Sequence, residues 1–206
     1  MDEQLKKARV VPVVVVDRVD DAVPIAEALR EGGLPIIEVT LRTSAALEAI
    51  RKIANDVADV IVGAGTVLNA EQAKAAADAG ARFIVSPGLH ESVVAESRAL
   101  NLPIYPGIAT ATEAMGAWNL GIRTVKFFPA SQAGGVSMLK ALSSVFRDLN
   151  FMPTGGITPA TLNDYLQLPS VVACGGSWLT PVSAVEQKDF ASITRLAAEA
   201  RALCKK

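Results

Sequence analysis

Asp21-Ala22-Val23-Pro24-Ile25-Ala26-Glu27-Ala28-Leu29-Arg30-Glu31-Gly32-Gly33-Leu34-Pro35-Ile36-Ile37-Glu38-Val39-Thr40 holds a helix, its stop signal and a strand in direct succession. Ala22, Ile25, Ala26 and Leu29 fall on one helical face, while Asp21, Glu27, Arg30 and Glu31 fall elsewhere. Gly32-Gly33 supplies the residue that commonly follows a helix end, and Ile36–Thr40 is rich in β-branched residues. This is one helix-to-strand step of a βα repeat.

The same step recurs on both sides of it. β-rich runs stand at Val10–Val16, Ile36–Thr40, Val60–Val62, Phe83–Val85, Pro103–Tyr105, Thr124–Phe128, Phe151–Pro153 and Val171–Cys174. Most are roughly 20 to 26 residues apart, the length of a strand, a helix and two short loops. Helical spacing returns between them, as at Leu47, Ile50, Ala54 and Val57, and Gly80 and Gly121 again close helices before the next run. Eight parallel strands with alternating helices predict an α/β fold, a single (β/α)8 TIM barrel over residues 1–206. An extra N-terminal helix precedes Val10, and further helices follow Ser177, the longest over Glu186–Leu203. An open doubly wound sheet is the alternative; against it, Gly63-Ala64-Gly65-Thr66 has Leu68 where a dinucleotide fingerprint needs its third glycine, and there is no P-loop lysine motif. Trp118 and Trp178 read as core.

The chain has 206 residues, half of them hydrophobic, with 20 Lys+Arg against 21 Asp+Glu and a formal net charge of −1. No basic block offers a footprint for nucleic acid or an anionic membrane. The apolar run Val10–Val16 is far shorter than the roughly 20 residues of a membrane span, and Met1-Asp2-Glu3 lacks a basic leader. These features predict a cytoplasmic protein acting on a small molecule. Cys174 and Cys204 make neither a disulfide framework nor a thiolate metal site, and the single histidine, His90, forms no histidine metal site or paired acid/base. His90 reads as a loop or helix-start residue without a chemical role. No metal or cofactor is expected.

Polar residues inside the β-rich runs are the informative exceptions, because parallel strands are covered on both faces. In Ile36–Arg42, period-two alternation sets Glu38, Thr40 and Arg42 on one face and Ile37, Val39 and Leu41 on the other. Lys126, in Thr124–Phe128, is the only lysine in a β-rich run. A dry interior disfavours an ammonium ion, and a neutral amine beside a proton-carrying carboxylate is what attack on a carbonyl requires. Schiff-base chemistry follows as the expectation. After the last two runs, Pro153-Thr154-Gly155-Gly156-Ile157-Thr158-Pro159 and Gly175-Gly176-Ser177 stand where barrels commonly bind phosphate through glycine N–H groups and a hydroxyl.

Glu38-Val-Thr-Leu-Arg42, Gly63-Ala-Gly-Thr66-Val-Leu68, Ser86-Pro-Gly88, Lys126-Phe-Phe-Pro-Ala130, Pro153-Thr-Gly-Gly156 and Gly175-Gly-Ser-Trp178 together resemble the bacterial 2-keto-3-deoxy-6-phosphogluconate (KDPG) aldolases, a family that includes 4-hydroxy-2-oxoglutarate aldolases. The resemblance runs end to end. It implies a metal-free class I aldolase that splits KDPG into pyruvate and D-glyceraldehyde 3-phosphate, the last step of the Entner–Doudoroff route. It implies that Lys126 is the Schiff-base lysine, Glu38 the general acid/base, and Arg42 and Thr66 the groups that hold the substrate carboxylate. Gly155, Gly156 and Ser177, with Gly176 beside them, match the phosphate end, and Thr154 matches a position linked to the configuration of the 4-hydroxyl, where threonine favours the gluconate over the galactonate substrate. A homotrimer is implied as well. Asp17 departs from the basic or neutral residue expected there and predicts a different rim charge. The residues leave open whether Glu38 acts directly or through water.

Two other readings share the phosphate loops. A phosphosugar isomerase or epimerase needs two acid/base groups about one carbon, whereas the inward polar set is Glu38, Arg42, Thr66, Ser86, Lys126, Thr154 and Ser177. A non-catalytic phosphosugar binder has no use for a buried lysine.

Overall fold

Strands and helices alternate along the chain as the sequence predicts; the computed structural model describes residues 1–204. The order is α1 (Asp2–Ala8), β1 (Val10–Val14), α2 (Ala22–Glu31), β2 (Ile36–Thr40), α3 (Ala46–Asp56), β3 (Ile61–Gly65), α4 (Ala70–Asp78), β4 (Ile84–Val85) and α5 (Glu91–Ala99). Then come β5 (Ile104–Tyr105), β6 (Gly107–Ile108), α6 (Ala111–Asn119), β7 (Thr124–Phe127), α7 (Gly135–Val145) and β8 (Asn150–Pro153). α8 (Leu162–Leu166), β9 (Cys174–Gly176), α9 (Val182–Glu186) and α10 (Phe190–Leu203) complete it. Gly33, Gly80 and Gly121 each follow a helix end, as expected, and α10 is the longest helix described.

Every strand pair is parallel, and the ladders form two sheets in the orders β5-β4-β3-β2-β1-β9 and β6-β7-β8. The expected fifth strand is divided at Pro106, whose ring nitrogen has no proton to donate: Ile104 and Tyr105 pair with β4, while Gly107 and Ile108 pair with β7. On the other side, the isolated parallel bridges Phe151–Val171 and Thr154–Gly175 link the β8 region to the β9 region. One continuous ladder of eight strands is therefore not what the pairing gives. The last strand also lies further along than the sequence suggests: Val171 makes only a bridge, and Gly175 and Gly176 pair with Val11 and Pro12.

Period-two alternation sorts the apolar side chains into two cores. Ile37 and Val39 join Val14, Ala64, Val125 and Phe127 against the buried faces of the helices, including Ile25, Leu29, Ile50 and Ile53. Ile36 points the other way, into a cluster with Val11, Phe83, Val85, Tyr105, Met152 and Ala173. α1 caps this inner cluster through Leu5 and Ala8, and fully burying a leucine contributes roughly 1.5–3 kcal/mol. Asp2 anchors it: Tyr105 Oη donates to Asp2 Oδ1 at 2.8 Å and Thr124 Oγ1 donates to Asp2 Oδ2 at 2.7 Å. Since Thr124 opens β7 and Ile36 opens β2, α1 lies across the amino ends of the strands.

Trp118 is not core, contrary to expectation. It is 44% exposed, with the Arg123 guanidinium 4.8 Å from its ring centroid, because helical spacing alone does not distinguish an outer helix face from an inner one. Trp178 is half-buried.

Two stability predictions follow from local geometry. Gly107 leaves no room for a Cβ, which would overlap the Pro87 carbonyl, a backbone group that cannot rotate away. Gly107→Ala is expected to lower stability by about 1–3 kcal/mol, read as a lower urea midpoint. At the start of α6, burial pulls the Glu113 carboxyl upward, but hydrogen bonds from the Ala109 and Thr110 N–H groups and the Thr110 hydroxyl outweigh it and hold the group below its ordinary value. Its contribution is present above the ordinary glutamate range and is lost as pH falls through the lowered folded value. Glu113→Gln should flatten the acid limb of a stability–pH curve; an unchanged limb contradicts this.

Candidate active site

Glu38 is the middle residue of β2, in register with Val13 of β1 and Gly63 of β3. Lys126 lies in β7, in register with Gly107 and Met152. The two strands belong to different sheets, and their side chains meet across the interior: Lys126 Nζ donates to Glu38 Oε1 at 3.1 Å. The Glu38 side chain is 0% exposed and that of Lys126 6%. Glu38 Oε2 is buried and has no hydrogen-bond partner among the described residues. Leaving a buried carboxylate oxygen unpaired is costly, so the site is organised for a group that this oxygen can serve.

The neighbouring strand makes room for this carboxylate. A Cβ at Gly65 would overlap Glu38, and one at Gly63 would overlap the Phe83 ring. The Gly63-Ala64-Gly65 motif is thus a close-approach surface. Thr66, with φ 57°, follows directly and is half-buried, and the Leu41 N–H donates to the Gly65 carbonyl at 2.8 Å. Arg42 differs from its expected place: β2 ends at Thr40, and Arg42 is exposed in the turn beyond it, its N–H donating to the Thr40 carbonyl at 2.8 Å. Arg42 and Thr66 therefore stand at the carboxyl ends of adjacent strands, above Glu38. Thr40 faces inward as predicted but is committed to the Val14 carbonyl at 3.1 Å.

Thr154 follows β8, 6% exposed, two residues beyond Met152 and so on Lys126's side of the sheet. Gly175 lacks the Cβ that would collide with Thr154, and Gly176 the one that would collide with the Trp178 ring; Gly176 is buried as the last residue of β9 rather than in a loop after it. Gly155 and Gly156 are different. They take φ values of 102° and 73°, which L side chains rarely adopt, and among the described residues the N–H groups of Gly156 and Ile157 have no protein acceptor. Ser177 is exposed and borders a cavity of about 560 Å³ that also touches Val13, Asp17 and Arg18. Arg18 is engaged by Asp21, with Nε–Oδ2 and Nη2–Oδ1 both 2.9 Å. Asp17, exposed beside them, adds a carboxylate to the lining of the same cavity.

Sequence reading overlooked Phe128, Ser131 and Gln132. The Phe128 ring centroid is 5.2 Å from Lys126 Nζ, and Ser131 and Gln132 lie against Gly156. Position i+2 from Lys126 was signal enough for Phe128; Ser131 and Gln132 carry none, since their place depends on the turn at Pro129.

Other candidates have ordinary roles. Ser86 Oγ donates to the Gly88 carbonyl at 2.7 Å, and His90 caps α5 by accepting from the Ser92 N–H, as a helix-start residue should. Burial pushes the Cys174 thiol far up, which keeps it protonated and a poor nucleophile. Among the described residues no three His, Cys, Asp or Glu side chains are placed to hold a metal ion, and no helix is long and apolar enough to cross a membrane.

A lysine–carboxylate pair buried inside a parallel α/β fold is equipped for Schiff-base chemistry at a carbonyl, the chemistry by which the class I aldolases among the lyases make and break carbon–carbon bonds. Comparison with known proteins narrows this. The family model described as "Aldolase: KDPG and KHG aldolase" matches residues 1–196, and the chain belongs to that family. It is 50% identical over 194 residues to the 2-dehydro-3-deoxy-phosphogluconate aldolase of Treponema pallidum, covering 94% of this chain and 92% of that one. Among solved structures, the 2-keto-3-deoxy-6-phosphogluconate aldolase of Zymomonas mobilis superposes with a TM-score of 0.93 at 47% identity, covering 98% and 96% of the two chains. A KDPG aldolase from Legionella pneumophila, solved with pyruvate captured at low pH as a covalent carbinolamine intermediate, gives 0.92 at 40% identity, covering 96% and 97%.

Proposed function

We propose that this protein is a class I, metal-independent aldolase that cleaves KDPG to pyruvate and D-glyceraldehyde 3-phosphate and also acts on 4-hydroxy-2-oxoglutarate. The observation that carries the reading is the buried Lys126–Glu38 hydrogen bond with Glu38 Oε2 unpaired beside it. A proton passed along that bond leaves a neutral amine and a carboxylic acid. The amine adds to the C2 ketone, the carbonyl oxygen becomes a hydroxyl, and Glu38 gives the proton with which it leaves as water. The protonated imine is then the electron sink. Glu38 takes the 4-hydroxyl proton, the C3–C4 electron pair moves into the imine, and aldehyde and enamine separate. Glu38 returns its proton to C3, and water releases pyruvate from Lys126.

The remaining residues take the roles that the resemblance implies. Arg42 and Thr66, at neighbouring strand ends, hold the carboxylate, for which a planar guanidinium suits bidentate contact. Thr154, on Lys126's face, meets the 4-hydroxyl. Gly155, Gly156, Gly176 and Ser177 hold the phosphate, supported at the glycine pair by the two N–H groups without acceptors. The two sheets then count as one (β/α)8 barrel capped by α1, with Ile104–Ile108 one strand kinked at Pro106 and the bridges to β9 closing the ring. The same reading carries a single domain over residues 1–206, the cytoplasm as its place, a phosphorylated keto acid as its partner, and the homotrimer.

The test is borohydride trapping with pyruvate in the presence of EDTA, followed by digestion and mass spectrometry. A reduced adduct confined to Lys126 is expected. Its absence from folded protein removes the imine mechanism and returns the isomerase reading.

A further inference from the structure

We infer that Phe128 is a further catalytic residue, whose ring face holds the Schiff base on Lys126 in its cationic form and sets the balance between iminium and enamine. This rests on the imine reading above. The half-buried ring is 5.2 Å from Lys126 Nζ at its centroid, within the range at which the negative face of an aromatic quadrupole attracts a cation. The ring packs beside the glycine turn: a Cβ added at Gly155 would stand 3.4 Å from Phe128 Cδ2.

Among the described residues Glu38 is the only carboxylate in ion-pair contact with Lys126. That carboxylate has a second task, because it must take the 4-hydroxyl proton. Imine formation meanwhile removes two of the three ammonium N–H donors but leaves the positive charge in place. A π-face needs no N–H and exchanges no proton, so it attracts the charge through both changes. Once the iminium has formed, its attraction disappears when the C3–C4 or C3–H electron pair enters the imine and neutralises the nitrogen. Phe128 therefore favours every step that ends in iminium, including protonation of the enamine at C3, over the steps that leave it. The enamine, exposed to misdirected electrophiles, is kept scarce.

The experiment replaces Phe128 with phenylalanines carrying one, two and three ring fluorines, which drain the quadrupole with little change of shape. Two quantities are read with pyruvate alone: iminium trapped by borohydride on Lys126, and the rate at which the pyruvate methyl group exchanges with deuterium, which requires the enamine. Exchange per trapped iminium should rise stepwise along the series, about 2- to 10-fold in total. Phe128→Leu should match the trifluoro variant and Phe128→Tyr the natural protein. A ratio that stays flat across the series overturns the inference, as does a Leu variant that behaves like the natural protein. If the natural protein itself gives no adduct on Lys126, it is the imine reading that fails.

Discussion

Lys126→Met is expected to lower aldol cleavage by about 10⁴-fold or more, since in the proposed mechanism it removes the nucleophile and with it the covalent route. It is also expected to destabilise the fold, because Glu38, fully buried and bonded only to Lys126, loses its partner. Removing one member of a buried ion pair typically costs about 3–5 kcal/mol, whereas replacing both by apolar groups is often neutral. Lys126→Met with Glu38→Leu should therefore recover most of the stability and none of the activity. Urea denaturation and a coupled pyruvate assay measure the two effects separately. More than a few per cent of natural activity in folded Lys126→Met would show that some other group makes the covalent bond.

Glu38→Gln separates the proton from the charge at nearly constant shape. Cleavage should fall about 10²- to 10⁴-fold, the usual contribution of a positioned acid/base. Deuterium exchange into the pyruvate methyl group should fall with it, because in the proposed mechanism the proton that reaches C3 comes from Glu38. Borohydride with pyruvate should still label Lys126, only more slowly. If exchange continues at the natural rate, another residue or a water carries that proton, and Glu38 serves only to position the amine.

Both halves of the central pair were legible because a charge in a β-rich run stands out against its neighbours. Glu38 and Lys126 broke patterns that otherwise demanded apolar residues, and period-two alternation put Ile37 and Val39 on the helix side and Ile36 on the interior side, where they are. What was not legible depended on neighbours distant in sequence. Nothing near Gly65 says that Glu38, from another strand, occupies the space of its missing Cβ. Arg42 continued the alternation on paper, yet the strand pairing stops at Thr40 and the chain turns. Pro106 divided a strand that composition alone leaves whole, and Trp118 shows that an apolar helix position can face outward.

The helix laid across the amino ends of the strands, pinned by Asp2 to Tyr105 and Thr124, makes the interior a vessel with a floor. With that end covered, reactants come and go at the strands' carboxyl ends. In the proposed mechanism Lys126 holds the keto end at depth, so the phosphorylated fragment lies nearer the exit and departs first, while pyruvate is still tethered. Release is then strictly ordered. Pyruvate should compete with the substrate for the empty enzyme, and the aldehyde should inhibit noncompetitively, a pattern that steady-state product inhibition reads without any variant at all.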